Sequence, residues 1–236
     1  MDRQLIRVDS LDPRVVTLLT DAVKMREAIH LFGPGVRRIV ELGSGWGKNL
    51  FNLFKFGAPL DAEYSGFELM KTGRQLMDKV GAECAPGMRL RSSRFDYYDA
   101  DFSALGQTAE TCVFTHNSIE QIPENLIERI IAIPGFKLCM HMKPVGFQFQ
   151  SDKWLADSKN KELMDRIDAD NRRFAGKRNQ NRNLYSVLKK LEEQGVIKIF
   201  AVKKYFTSHL LANATTLISW GLPSDADSVA QRRDDV

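Results

Sequence analysis

Three cysteines, Cys84, Cys112 and Cys139, are too few for a disulfide framework, and no CxxC pair spaces them for zinc. Cys112 and Cys139 lie in apolar runs and read as buried thiols. No apolar run reaches the roughly 18 to 20 residues of a spanning helix, so no helical membrane protein is expected. The opening stretch "MDRQLIRVDSLDPR" is charged throughout and has no apolar h-region, which predicts no signal peptide and a reducing, cytoplasmic setting. Charge of one sign is not in large excess. A net +4 permits an anionic partner without demanding nucleic acid. No internal repeat is present, and no acid–histidine cluster has metal-ligand spacing, so no metal is expected. What is present is a chain of 236 residues, 43% apolar and 27% charged, which fits a single domain with a sizeable core.

Residues 14–32, "RVVTLLTDAVKMREAIHLF", place apolar side chains at 15, 18, 19, 22, 23, 29 and 32, a helical spacing opened by Asp12-Pro13 and stopped by "GPG". Strands and helices then alternate. Strands are expected at 36–42, 62–68, 88–95, 111–117 and 136–142. Helices are expected at 48–56, at 69–80 with Gly81 as its stop, and at 124–132 after Pro123. This rhythm predicts a mostly parallel sheet with helices on both faces. Of the polar stretch 151–183 only the first part reads as helical. A helix at 184–195 precedes two strand-like runs, 196–206 and 210–220. Their connection is too short for a crossover helix, so they should pair antiparallel. Residues 1–222 form the expected domain, and the tail from Pro223 reads as disordered.

The stretch "IVELGSGWGKN" (39–49) ends an apolar strand in Glu41 and then spaces Gly43, Gly45 and Gly47 at alternate positions. A glycine-rich turn between a first strand and its helix lets a ligand approach the backbone, and the helix N-terminus offers free N–H groups. In an open parallel sheet that crevice lies beyond the carboxyl ends of the strands. A dinucleotide turn reads G-x-G-x-x-G; here the third glycine is one residue early and Lys48 stands in its place.

"ELGSGWG" resembles motif I of the class I S-adenosylmethionine (SAM)-dependent methyltransferases. The resemblance runs through ordered motifs from about 36 to 142 and through topology to 220. It implies a Rossmann-like, doubly wound, seven-stranded, mostly parallel sheet closed by a C-terminal antiparallel pair. It also implies SAM as cofactor. Glu68 ends the second strand in "YSGFE", where the family places the acid that binds the ribose hydroxyls; otherwise it is a solvated strand-end acid. "RFDYYDADF" follows the third strand, where an acid near the adenine is usual. Asp96 or Asp99 suits that place, with Tyr97 beside them, and one of the two acids is a turn residue. "TCVFTHNSIEQI" stands at the fourth strand, so Thr115 and Asn117 are expected beside the cofactor. Glu41 is expected to meet the cofactor's ammonium, with Gly43, Ser44, Gly45 and Gly47 close to its methionine part. Around "FDYYDADF" and "THNSIEQ" the chain is similar to methyltransferases of sugar and polysaccharide pathways.

A hydroxyl acceptor needs a base, and a histidine suits that proton transfer. His116 and His141 lie at or near the ends of the fourth and fifth strands and are the catalytic candidates. Either one can instead be a structural, hydrogen-bonded residue, and a register step of one turns a side chain away from the site. Glu120 is either a ligand for a metal or a sugar hydroxyl or, the favoured reading, a helix-start residue holding the loop. The segment "THNS" lacks the Asn/Asp-Pro-Pro-aromatic signature of many base-modifying members of the family. Arg166, Arg172, Arg173, Lys177, Arg178 and Arg182 form a basic stretch that is either a solvated loop or a lid meeting an anionic acceptor. The expected partner is a small-molecule acceptor, a sugar or an anionic metabolite, methylated on oxygen. An RNA- or protein-directed methyltransferase and a NAD-dependent oxidoreductase are the alternatives. Few aromatics interleave the basic stretch, which counts against nucleic acid.

Overall fold

Asp12 and Pro13 start the first helix as the sequence predicts. Pro13 lacks the N–H that would be unpaired there, and the Asp12 carboxylate accepts the Arg14 N–H at 2.8 Å. The computed structural model describes residues 12–33, 35–106, 109–121, 126–143, 145, 148, 158–207 and 215–225. The helices are α1 (Pro13–Phe32), α2 (Lys48–Lys55), α3 (Lys71–Cys84), α4 (Ile127–Ile131), α5 (Ser158–Lys177) and α6 (Leu184–Glu193). The strands are β1 (Arg38–Leu42), β2 (Glu63–Glu68), β3 (Arg89–Arg94), β4 (Thr111–His116), β5 (Phe136–Lys143), β6 (Lys198–Thr207) and β7 (Thr215–Gly221).

They form one seven-stranded sheet in the order β3-β2-β1-β4-β5-β7-β6. The first five strands pair parallel, while β7 runs antiparallel to both β5 and β6. The strand order reverses between β1 and β4, which places the ligand crevice of such sheets beyond their C-terminal ends.

Alternation along the strands sorts the core into two layers. Ile39, Phe114, Met140 and Leu217 pack with Met25, Leu50, Leu53 and Met77 of α1, α2 and α3. Val40, Leu42, Val113, Cys139 and Ile218 pack with Ile127, Ile130, Leu184 and Leu188 of α4 and α6. The same alternation decides where the polar strand residues point. His116 shares the parity of Phe114 and faces the α1–α2 layer. His141 lies level with Thr115 and shares the parity of Cys139, on the opposite side.

Four expectations are corrected. Gly81 does not end α3, which runs to Cys84; a Cβ on Gly81 would lie 2.7 Å from Leu90 Cδ2, so the glycine admits β3 against the helix. The helical part of 151–183 is Ser158–Lys177, because Ile167, Asn171 and Ala175 recur on one buried face and Lys204 Nζ pairs with Asp168 at 3.0 Å. Residues 151–157 of that stretch lie outside the described residues. Pro223–Asp225 forms a 3-10 turn in which Asp225 accepts from Lys137 Nζ at 3.1 Å; residues 226–236 lie outside the described residues. On α1 the apolar positions 15, 18, 19 and 23 are exposed, and the inward side carries Val16, Asp21, Lys24, Met25 and Ala28. That side covers the crevice as well as the core, which is why two charged residues occupy it.

Candidate functional site

The glycine-rich turn between β1 and α2 is held from three sides. The Gly43 and Ser44 N–H groups donate to the Phe67 carbonyl of β2 at 2.8 and 3.1 Å. The Gly45 N–H donates to Glu68 Oε2 at 2.8 Å, and the Met70 N–H to Glu68 Oε1 at 2.8 Å. A Cβ on Gly73 of α3 would lie 2.9 Å from the Gly45 carbonyl oxygen, so a second glycine sequence reasoning missed brings α3 onto the turn.

The three turn glycines have positive φ, 72°, 55° and 84°, and different surroundings. A Cβ on Gly43 would meet Ser118 Cβ at 2.5 Å, and one on Gly47 would meet Met77 Cγ at 2.7 Å. Those two glycines make room for protein. Gly45 alone of the three has nothing within 4 Å of its Cβ position and faces open space. Ser118 donates to the Leu42 carbonyl at 2.7 Å, and the Tyr97 hydroxyl lies 2.8 Å from Ser118 Oγ and 3.0 Å from the same carbonyl. Tyr97 therefore braces the wall behind Gly43, with its ring edge-on to Phe95 at 5.0 Å. Ser44 Oγ is buried without a hydrogen-bond partner among the described residues.

Glu41 is fully buried on the α2 side of β1. Its Oε1 accepts from Asn49 Nδ2 at 2.6 Å, and its Oε2 has no partner among the described residues. Burial pushes the carboxyl up to about 8; the Asn49 hydrogen bond opposes this and the nearby Glu68 adds to it. The folded protein thus holds a proton that the unfolded chain releases near pH 4.5. Stability from this group is complete below about pH 4.5 and falls as pH rises towards 8, by about 1.4 kcal/mol per pH unit. Glu41→Gln should flatten that decline. Chemical denaturation of both proteins at pH 5, 6.5 and 8 checks it, and parallel profiles would count against a protonated Glu41.

Asp96 Oδ1 accepts the Tyr98 N–H at 2.9 Å, so its carboxylate holds the turn after β3, while Asp99 is exposed. Asn117 has φ of 51°; its N–H donates to the Met142 carbonyl at 3.3 Å and its carbonyl accepts from Gln121 Nε2 at 2.6 Å. Thr115 and His141 lie fully buried away from the turn. Trp220 Nε1–H donates to His141 Nε2 at 3.0 Å, which leaves the ring proton on Nδ1, facing Thr115 Oγ1 at 2.9 Å. Both ring nitrogens are thereby taken, and burial holds His141 well below the usual histidine range.

His116 stands on the crevice side with Nε2 3.2 Å from Lys24 Nζ. Burial first, then Lys24, Lys48 and Lys143, bring its pKa down to about 3 against the opposing pull of Asp21. It is neutral at physiological pH. Lys24 and Asn49 are functional neighbours that sequence reasoning missed. For Lys24 a signal existed: Asp21 and Lys24 occupy the helical period of the buried positions 25, 28 and 32.

No protein-family model and no curated protein matches the chain. Solved structures do. The glycopeptide N-methyltransferase MtfA aligns with a TM-score of 0.56 at 14% identity, over 90% of this chain and 99% of its own. MtfA has also been determined with SAM and with sinefungin. The methyltransferase domain of bacterial CtHen1-C aligns with a TM-score of 0.53 at 12% identity, over 86% of this chain and 98% of its own. EvdMO1 aligns with a TM-score of 0.50 at 17% identity; this chain spans 40% of that longer one. At these identities the shared property is the fold, which this chain has in common with MtfA and the CtHen1-C methyltransferase domain.

Proposed function

We propose that the protein is a SAM-dependent methyltransferase acting on a small-molecule acceptor, with a hydroxyl of a sugar or related metabolite as the methylated group. The observation that carries this reading is Glu68. Its carboxylate is oriented by the Gly45 and Met70 N–H groups at the end of β2, beside the one turn glycine that opens onto free space. Each carboxylate oxygen keeps a lone pair for a further donor, which suits the two hydroxyls of a ribose. Glu41 Oε2, without a partner among the described residues, suits a cationic amine met directly or through water, whose arrival would favour the ionised carboxylate over the protonated form of the empty site. Asp96, or Asp99 beside it, would receive the adenine amine, and Ser44, Tyr97 and Asn117 contribute backbone or wall; Thr115 points into the opposite core layer and is not proposed to touch the cofactor. The solved complexes of MtfA with SAM and sinefungin support the choice of cofactor.

The cofactor would supply a methyl group on a sulfonium whose leaving group departs neutral. The protein's task is then alignment, which can contribute roughly 7–11 kcal/mol, and removal of the hydroxyl proton. His116 is the group placed for that proton: neutral, partly exposed, and on the crevice side of β4. His141, with both nitrogens engaged in the core, holds β4, β5 and β7 together instead.

Calorimetric titration with S-adenosylhomocysteine, and with NAD in parallel, tests the reading. One-to-one binding of S-adenosylhomocysteine alone is expected. Binding of NAD alone would overturn it and make the turn a displaced dinucleotide site.

A further inference from the structure

The C-terminal ends of β4 and β5 meet α1 and α2 at a cluster of charges. Asp21 and Lys24 lie one turn apart on α1 and are 8% and 6% exposed. Lys48 opens α2, one residue beyond the glycine turn, and pairs with Asp21 at 2.6 Å. Lys24 Nζ approaches His116 Nε2 at 3.2 Å. Lys143, fully buried at the end of β5, adds its charge to the field at His116. Among the described residues Asp21 is the carboxylate that acts on Lys24, and Lys48 already engages it. Ammonium groups taken out of water are unfavourable unless negative charge accompanies them. Here, among the described residues, one carboxylate accompanies the two ammonium groups of Lys24 and Lys48, and the cluster is not sealed. His116 is partly exposed, and the Lys48 side chain is 45% exposed, so the cluster is open to solvent.

We infer that Lys24 and Lys48, together with His116, form a subsite for an oxyanion, a carboxylate or a phosphate monoester, carried by the methyl acceptor. This rests on the methyltransferase reading and adds the chemical class of the acceptor. The lysines hold the anionic group and so fix the distance of the acceptor hydroxyl from His116. A bound anion also opposes the lysines' repulsion of a proton on His116. Arrival of an anionic acceptor therefore raises the proton affinity of His116, which a neutral sugar in the same crevice does not.

The test uses the full chain labelled with 13C and 15N in histidine and saturated with S-adenosylhomocysteine. It is titrated with sodium phosphate, with sodium acetate and with glucose at constant ionic strength. A saturable shift of the His116 ring resonances with phosphate or acetate, and none with glucose, is expected. A response to phosphate alone assigns a phosphate monoester, and a response to acetate alone a carboxylate. Lys24→Met should weaken the anion at least tenfold while affinity for S-adenosylhomocysteine stays within about twofold. The more exposed Lys48→Met should weaken the anion severalfold and serves if the first variant does not fold. Absence of a saturable anion shift in the parent protein overturns the inference, as does unchanged anion affinity in both variants. Failure of S-adenosylhomocysteine to bind is a separate result that removes the methyltransferase reading. The anion titration of the cofactor-free protein then still decides the subsite.

Discussion

Glu68→Ala should lower affinity for S-adenosylhomocysteine at least about a hundredfold. Two losses combine. The first is the proposed pair of charge-assisted contacts to ribose hydroxyls, each expected to contribute roughly 1.5–3 kcal/mol. The second is preorganisation. The Glu68 carboxylate accepts the Gly45 and Met70 N–H groups, so it ties the glycine turn to the entry of α3 before any ligand arrives. An alanine leaves both donors without that acceptor and lets the turn relax. About 2.7 kcal/mol corresponds to the hundredfold loss. Glu68→Gln keeps one good acceptor but turns an amide N–H towards a backbone donor, so an intermediate loss of roughly tenfold is expected. Calorimetry on the three proteins measures this directly. Unchanged affinity in Glu68→Ala would remove the residue from the ribose site and leave it as a structural tie.

Gly43→Ala should destabilise the fold by about 3 kcal/mol, whereas Gly45→Ala should cost only the backbone strain, roughly 1 kcal/mol, and impair cofactor binding. At Gly43 two penalties add. A φ of 72° is strained for any residue with a Cβ, by roughly 1–2 kcal/mol. The new methyl would also lie 2.5 Å from Ser118 Cβ. Ser118 cannot retreat freely, because its hydroxyl donates to the Leu42 carbonyl at 2.7 Å and Tyr97 closes in behind it. Overpacking of that kind costs typically 1–3 kcal/mol. For a chain of this size the sum corresponds to a fall in Tm of roughly 6–12 °C. At Gly45 the methyl meets nothing within 4 Å, so only the strain at φ 55° remains. That methyl would project into the space assigned to the cofactor. Equal Tm losses in the two variants would contradict this division of the motif into a packing glycine and a ligand glycine.

How much of this was legible beforehand follows the range over which each feature is decided. The order of strands and helices could be read because hydrophobic period and turn chemistry are local. Every β-strand and helix of the described residues falls within or close to an expected segment, save the extent of the helix in 158–177. There the buried face is marked by Ile167, Asn171 and Ala175, and a buried asparagine hides the period. The turn at 43–47 and the acid at the end of β2 were legible for the same reason. Backbone conformations open mainly to glycine, and a carboxylate at a strand end, are written in a few adjacent residues.

What the sequence by itself determined, then, is an alternating α/β chain closed by an antiparallel pair, with a glycine turn and an acid waiting at adjacent strand ends. Tertiary structure decided the rest. His116 and His141 looked equivalent, but the pairing of Thr115 with His141 across β4 and β5 sets them on opposite faces of the sheet. One reaches Lys24 and the crevice, and the other is locked between Trp220 and Thr115. The spatially close Gly43 and Gly45 differ only in whether Ser118, far along the chain, fills the space beside them. Lys24 joins the site because α1 turns its charged side towards β4, 92 residues away in sequence. Register, helix rotation and long-range packing carry no local signature, because each depends on surfaces that meet only once the sheet has formed.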